Sequence, residues 1–375
     1  MRLEPVNGLR GIAILAVVYF HVICGMWRAA AVPTWLSPLV TGGWTGVNLF
    51  FILSGFVLFL PYAAGLRSMA APRDRLAFYR RRFFRLMPLF YLAVLVEWAL
   101  ATPHDPATLL SVLSVAFTLS PHGFAPSFNP ALWSIGVEIG FSAAFPLLVL
   151  AAGRYGLARV LAAALALALA LRLVGIAGFP ALQGATFNSD MLLCRIDEFV
   201  IGMMLARLYV AGRLPRRPGL GAGLGAVLVV LAWSGFDRVL RGGLPPLARA
   251  GLNDVLDAGL FLVVLAALAP GARLGAALSW RPLQVLGMMC YSLYIWHGPL
   301  LDFFLPDRAA MPAGAAARGL LLAMLAILAI AALSYRFIEF RRVPWRPLFL
   351  LAPPETRAAV PYTADAERAP DRARP

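Results

Sequence analysis

Asn7-Gly8-Leu9-Arg10-Gly11-Ile12-Ala13-Ile14-Leu15-Ala16-Val17-Val18-Tyr19-Phe20-His21-Val22 is an almost unbroken apolar run carrying two costly polar groups. Arg10 stands near its start and His21 well inside it. At ~100° per residue their offset is about three turns, so Arg10, Ile14, Val17 and His21 share one face of a helix. A rise of ~1.5 Å per residue sets Arg10 and His21 roughly 16 Å apart, about half the ~30 Å hydrocarbon thickness of a bilayer. Ionisable groups inside a membrane-length segment mark function by default. The stretch therefore reads as a membrane-spanning helix with one working face.

The rest of the chain repeats that character. Of 375 residues 61% are hydrophobic and 14% charged, with a mean hydropathy of +0.78, and this excludes an ordinary soluble domain. The net charge of +15 does not point to nucleic acid, because the arginines sit in short loops between apolar spans, as expected of a chain whose partner is the lipid bilayer. No nucleic-acid partner is expected. Cys24, Cys194 and Cys290 show no CxxC or Cys/His ligand spacing, so no metal is expected and buried free thiols are. Cys24 lies one turn beyond His21, where an acyl-cysteine is conceivable. The first segment has no small-residue cleavage site and reads as a retained helix.

Ten spans can be laid down, roughly 8–28, 44–62, 83–101, 131–152, 157–177, 195–212, 219–236, 252–269, 283–304 and 314–336. The apolar stretch 107–119 is too short to cross and reads as re-entrant or interfacial. Loop charge then sets orientation. One side collects most loop arginines, including Arg80-Arg81-Arg82, whereas the other holds only Arg28, Arg238, Arg241, Arg249 and Arg308. The expected fold is thus an all-α polytopic membrane protein, a bundle of about ten transmembrane helices with both termini cytoplasmic. Residues 1–346 form its one transmembrane domain. The tail 347–375, with Pro353-Pro354 and little apolar content, is expected to be disordered.

Depth bookkeeping groups the polar side chains. His21, Glu138 and His297, on spans one, four and nine, each come to roughly 10 Å from the outer face. Ser134, Glu138 and Ser142 repeat at four and form a polar stripe. The plain alternative for Glu138 is a helix-packing ion pair with an arginine, and for His297 a hydrogen bond to a backbone carbonyl. Tyr291, Tyr294 and His297 repeat at three. Asp197 stands beside Arg195, an ordinary pair or a binding group. Asn48 near the outer face could bind substrate, and Ser54 and Gly55 suit close helix packing. His104 and His122 fall in a loop, where solvation is the default. On the inner side Arg82 and Arg85 lie one turn apart. With Arg10 at the same rim their planar forks suit the phosphates of an anionic ligand.

Five blocks in order resemble the successive motifs of the acyltransferase family 3 membrane proteins. They are Gly8-Leu9-Arg10-Gly11-Ile12-Ala13 with His21, then Phe50-Phe51-Ile52-Leu53-Ser54-Gly55-Phe56, then Arg82-Phe83-Phe84-Arg85-Leu86-Met87-Pro88. Trp133-Ser134-Ile135-Gly136-Val137-Glu138 and Tyr291-Ser292-Leu293-Tyr294-Ile295-Trp296-His297-Gly298-Pro299 complete the set. Asn7 stands where that family often has Asp, and Ile139-Gly140 where it often has Glu-Gln. The resemblance implies a multi-pass inner-membrane enzyme of the stand-alone form, without an appended hydrolase-like domain. It implies transfer of an acyl group, usually acetyl, from cytoplasmic acyl-CoA to a hydroxyl of an envelope glycan, lipid-linked sugar or secreted small molecule. Arg10 and His21 match the family's essential Arg and His. On this reading His21 and Glu138 are catalytic and Arg10, Arg82 and Arg85 hold acyl-CoA. Asn48, Ser134, Asp197, Tyr294 and His297 are candidates for substrate binding, and no metal takes part. The competing reading is a transporter using the same His and Glu for proton coupling, against which the sequence has no detectable inverted repeat.

Overall fold

A computed structural model describes residues 3–26, 33–100, 105–120, 124–178, 187–307, 310–341 and 349. His104, His122, the Cys24 side chain and all of the tail but residue 349 lie outside them. Among the described residues every regular element is helical. In chain order these are α1 Glu4–Met26, α2 Ser37–Thr41, α3 Gly46–Ala63, α4 Pro72–Leu100, α5 Pro106–Leu113, α6 Leu132–Tyr155, α7 Leu157–Gly178 and α8 Phe187–Asp190. There follow α9 Ile196–Val210, α10 Pro218–Leu240, α11 Ala248–Ala267, α12 Arg273–Leu278, α13 Arg281–Met288, α14 Cys290–Phe304 and α15 Ala313–Ser334. A π-helical turn, Tyr335–Glu339, ends the bundle.

Nine of the ten expected spans correspond to single helices, whereas 283–304 breaks at Met289 into α13 and α14; among the described residues eight stretches are long and apolar enough to cross a membrane unaided. The other two, α9 and α14, have 15 residues each, about 22 Å at the helical rise. The helix α13 directly precedes α14, and a 3₁₀ turn, Leu192–Cys194, precedes α9, so each apolar segment is longer than its helix. The stretch 107–119 breaks into α5 and a 3₁₀ turn, Ala116–Leu119, as its length requires. The main correction concerns α4. It begins at Pro72, well before the expected start near residue 83, and its 29 residues extend about 43 Å. Its first turns are rich in arginine, so a hydropathy window passes over them although the helix continues. Arg82 and Arg85 consequently lie several turns into the helix and not at its mouth.

Small residues let the helices that carry the motifs approach backbone to backbone. A Cβ on Gly55 would meet the Phe199 carbonyl, and one on Gly202 would meet the Ile52 carbonyl, so α3 and α9 pack through reciprocal glycines. Likewise Gly8 and Gly11 lie against the carbonyls of Leu278 and Leu283, and Gly287 against that of Asn7. These contacts clamp α1 to α12 and α13 and so fix the face bearing Arg10 and His21. The interior is filled by a continuous cluster that includes Ile14, Val17, Ile52, Phe56, Phe90, Phe141 and Phe199. Buried Cys194 and Cys290 are free thiols.

Candidate active site

His21 on α1 and His297 on α14 meet within the bundle. His297 Nε2 lies 3.3 Å from His21 Nδ1, and the ring centroids are 4.8 Å apart, edge to face. Each imidazole also faces a backbone carbonyl one turn earlier: His21 Nδ1 is 2.9 Å from the Val17 oxygen, and His297 Nδ1 is 2.5 Å from that of Tyr294. A carbonyl can only accept, so both Nδ1 atoms carry a proton when the rings are neutral. His297 Nε2 is then an acceptor toward His21, and the lone pair of His21 resides on Nε2. Two carbonyls and a neighbouring ring therefore select the tautomer of His21.

Beside α1, a cavity of about 1180 Å³, counted to its open mouth, runs between α3, α4, α6 and α14. Arg10, Arg67, Arg81, Arg82 and Arg85 line it, and among the described residues Glu138 is the single carboxylate of its lining. Val47, Phe50, Phe51, Val57 and Leu58 supply an apolar wall, and Ser134 and Tyr294 line it as well. Ser134 Oγ donates to the Tyr294 hydroxyl at 2.6 Å. The Tyr294 ring is 5.2 Å from that of His297, so the cavity comes within one ring of the histidine pair. The cavity offers cationic groups and an apolar wall, and the two histidines lie outside its lining, behind Tyr294.

Glu138 has different partners from those its depth suggested. Arg82 Nη2 donates to Glu138 Oε1 at 2.5 Å, Ser54 Oγ donates to the same oxygen at 2.7 Å, and Arg82 Nε reaches Ser142 Oγ at 3.0 Å. The polar stripe of α6 thus anchors the guanidinium of α4. The early start of α4 explains this: Arg82 stands about 15 Å along α4 from its first residue, which brings it level with Glu138, about 9 Å along α6. The ion pair considered as the plain alternative is present, but it faces the cavity and is not sealed in packing.

Arg85 is held from behind by Glu339 of the π-helical turn, which also accepts from Ser292 Oγ. Its guanidinium lies 5.7 Å from the Tyr291 ring centroid and 5.0 Å from that of Phe340. The sequence reading did not single out Glu339; a carboxylate at the end of the last apolar span was the available signal. It also missed Asn129 and Glu97. Pro299 has no N–H, so the Ile295 carbonyl loses its helical donor. Asn129 Nδ2 faces that oxygen at 3.3 Å and Glu97 Oε2 at 2.9 Å, which supports the turn of α14 that carries His297.

Asn48 and Asp197 lie elsewhere. Both are fully buried and absent from the cavity lining. Asn48 Nδ2 is 3.1 Å from Glu198 Oε1, Asn253 Oδ1 and Asp257 Oδ1. Asp197 pairs with Arg172 of α7, whereas the adjacent Arg195 pairs with Asp190 and Glu198. They belong to a buried ionic network at the ends of α7, α9 and α11, and a neighbour in sequence was the wrong guide to the partner of Asp197.

The sequence is similar to those of several known proteins. The acyltransferase MdmB of Streptomyces mycarofaciens is 29% identical over 79% of this chain and 78% of its own length. The peptidoglycan O-acetyltransferase OatA of Listeria monocytogenes is 24% identical over 89% of the chain, and the O-acetyltransferase OatA of Staphylococcus aureus 25% over 90%. The chain spans only about half the length of these two, 54% and 56%. No solved structure matches it. A family model described as an acyltransferase domain matches residues 4–336, nearly every described helix, and the chain therefore belongs to acyltransferase family 3 as an integral, multi-pass membrane acyltransferase.

Proposed function

We propose that this acyltransferase moves an acyl group, acetyl by preference, from acyl-CoA to a hydroxyl of an envelope glycan, a lipid-linked sugar or a secreted small molecule. The observation that carries the proposal is the cavity itself, with its arginines, an apolar wall, and Tyr294 against the His21–His297 pair. Planar guanidiniums suit phosphate oxygens, and Arg10, Arg82 and Arg85 are assigned to the donor's nucleotide end. The nucleotide is too polar for the apolar wall, so only the acyl-bearing arm advances past Phe50 and Phe51 toward Tyr294. The names of the relatives support a hydroxyl acceptor, since OatA is an O-acetyltransferase and, in Listeria monocytogenes, one of peptidoglycan.

In the proposed step His21 Nε2 takes the proton of the acceptor hydroxyl as its oxygen attacks the thioester carbonyl carbon. The C–S bond then breaks, the ester forms, and the imidazolium returns its proton to the leaving thiolate. His297 holds His21 in the required tautomer, and the Ser134–Tyr294 pair borders the reacting carbonyl. Glu138 positions Arg82. The loop charges favour an orientation with both termini and the arginine mouth on the cytoplasmic side of the inner membrane, where acyl-CoA is available. The acceptor then reaches His21 from the opposite face.

Purified protein in nanodiscs, supplied with labelled acetyl-CoA and hydroxyl-bearing saccharides, tests this reading. Label transfer with release of free CoA is expected. A protein that transfers label from another acyl donor but neither binds nor consumes acetyl-CoA would overturn the donor assignment.

A further inference from the structure

The buried network holds more negative charge than its structural role needs. Asp190, Asp197, Glu198 and Asp257 are each at most 2% exposed, and Asp254 adds a fifth carboxylate through Arg172. Against them stand two buried guanidiniums, Arg172 and Arg195, with Arg249 reaching Asp190 at 3.9 Å from a half-exposed position. The imbalance is two negative charges, the charge of one divalent cation. One oxygen each from Asp197, Glu198 and Asp257 lie within 4.8 Å of one another, although the residues come from two helices, α9 and α11.

A second observation points to a ligand there. Glu198 Oε2 and Asn48 Oδ1 are buried without a hydrogen-bond partner, although both residues are fully buried and their other polar atoms are engaged. Leaving a buried carboxylate or amide oxygen unpartnered forfeits its hydration with no return. The Asn48 amide sits against Glu198 and Asp257, and turning it by 180° would exchange its nitrogen for its oxygen at the same place. With a cation in place of the three hydrogen bonds its nitrogen now donates, that turn would add a fourth oxygen to the three carboxylates.

We propose that Asp197, Glu198, Asp257 and Asn48 form a binding site for a divalent cation, Ca²⁺ in preference to Mg²⁺. Carboxylate and amide oxygens are hard donors of the kind these ions take. Opposed oxygens around Ca²⁺ stand about 4.6–5.2 Å apart, twice its bond length, whereas Mg²⁺ demands about 4.0–4.2 Å. The upper bound of 4.8 Å on the separations here admits either ion, but Mg²⁺ dehydrates reluctantly and keeps several waters, so a buried cage of protein oxygens suits Ca²⁺. A bound cation would tie α3, α9 and α11 together at one point. The absence of Cys/His spacing, which led to no metal being expected, does not bear on an all-oxygen site assembled across helices. This inference is independent of the acyl-transfer reading.

The test uses full-length protein in detergent, stripped with EDTA and titrated with CaCl2 or MgCl2 at constant ionic strength. Bound ⁴⁵Ca is counted by equilibrium dialysis, and thermal unfolding is followed in parallel. Expected are one saturable Ca²⁺ per chain, a rise in Tm with Ca²⁺, and at least ten-fold weaker binding of Mg²⁺. Asp257→Asn should weaken Ca²⁺ binding at least ten-fold. If that variant does not fold, Glu198→Gln takes its place, and the wild-type stoichiometry decides independently. Wild type that binds no Ca²⁺ in dialysis, with a Tm that responds to pH alone, would overturn the proposal and leave protons as the neutralising charge.

Discussion

The protein builds two clusters from the same residue types and gives them opposite surroundings. In the cavity, five arginines share the lining with one carboxylate, and the Arg82 and Arg85 side chains keep 17% and 14% of their surface exposed. In the network of α7, α9 and α11, carboxylates outnumber arginines, and Arg172 and Arg195 keep only 2% and 3%. A cation that keeps part of its surface on a cavity can meet a ligand as well as its internal partner. One that is sealed and fully bonded holds helices together. Arg172 illustrates the second kind, with Nε on the Cys194 carbonyl and one terminal nitrogen each on Asp254 and Asp197.

Substitutions on either side should therefore fail in different ways. The largest effect is expected for Arg172→Leu, which leaves Asp197 buried without its counter-charge. Breaking a buried pair from one side costs about 3–5 kcal/mol, so folded protein in the membrane should fall sharply. A stable Arg172→Leu protein with impaired donor binding would dissolve the distinction. In the cavity, Arg85→Gln should raise the KM for acyl-CoA about ten-fold, the low end for a charged hydrogen bond, and lower protein level only in part, since Ser292 still donates to the buried Glu339 it leaves behind. Glu138→Gln should lower turnover several-fold with protein level retained, since it loosens Arg82 without removing it; unchanged kinetics would reduce Glu138 to packing. The smallest effect is expected from Asn129→Ala. Losing its bonds to Glu97 and Ile295 should cost about 1–3 kcal/mol in thermal or denaturant stability, and no change would mean that water replaces it.

The spans were legible because membrane length and apolar composition are local properties of a chain. The face of α1 was legible too, since helical rise and period alone put Arg10 and His21 in line. Helix rise also placed His21 and His297 at one level, and the two rings are in contact. Glu138 escaped the same bookkeeping because the start of α4 is hidden under arginines, which displaced Arg82 by about 15 Å in the reckoning. Asp197 and Asn48 escaped for another reason. Which helices become neighbours is set by glycine-mediated contacts such as Gly55 with Gly202, and no local pattern says that α7 will deliver Arg172 to α9. Glu339 and Asn129 were missed because each acts on a helix distant in sequence, one behind Arg85 and the other on the carbonyl freed by Pro299.

The central claim is that donor binding and chemistry occupy separate parts of one path, arginines at one end and His21 at the other. Its most direct test is His21→Ala, measured twice on the same purified protein: acyl-CoA binding, and formation of acylated product. The account predicts donor affinity within a few-fold of wild type and a loss of turnover of at least about 10²-fold, the scale of a removed general base. Lost donor binding in a folded His21→Ala protein, or product formed at the wild-type rate, would contradict it.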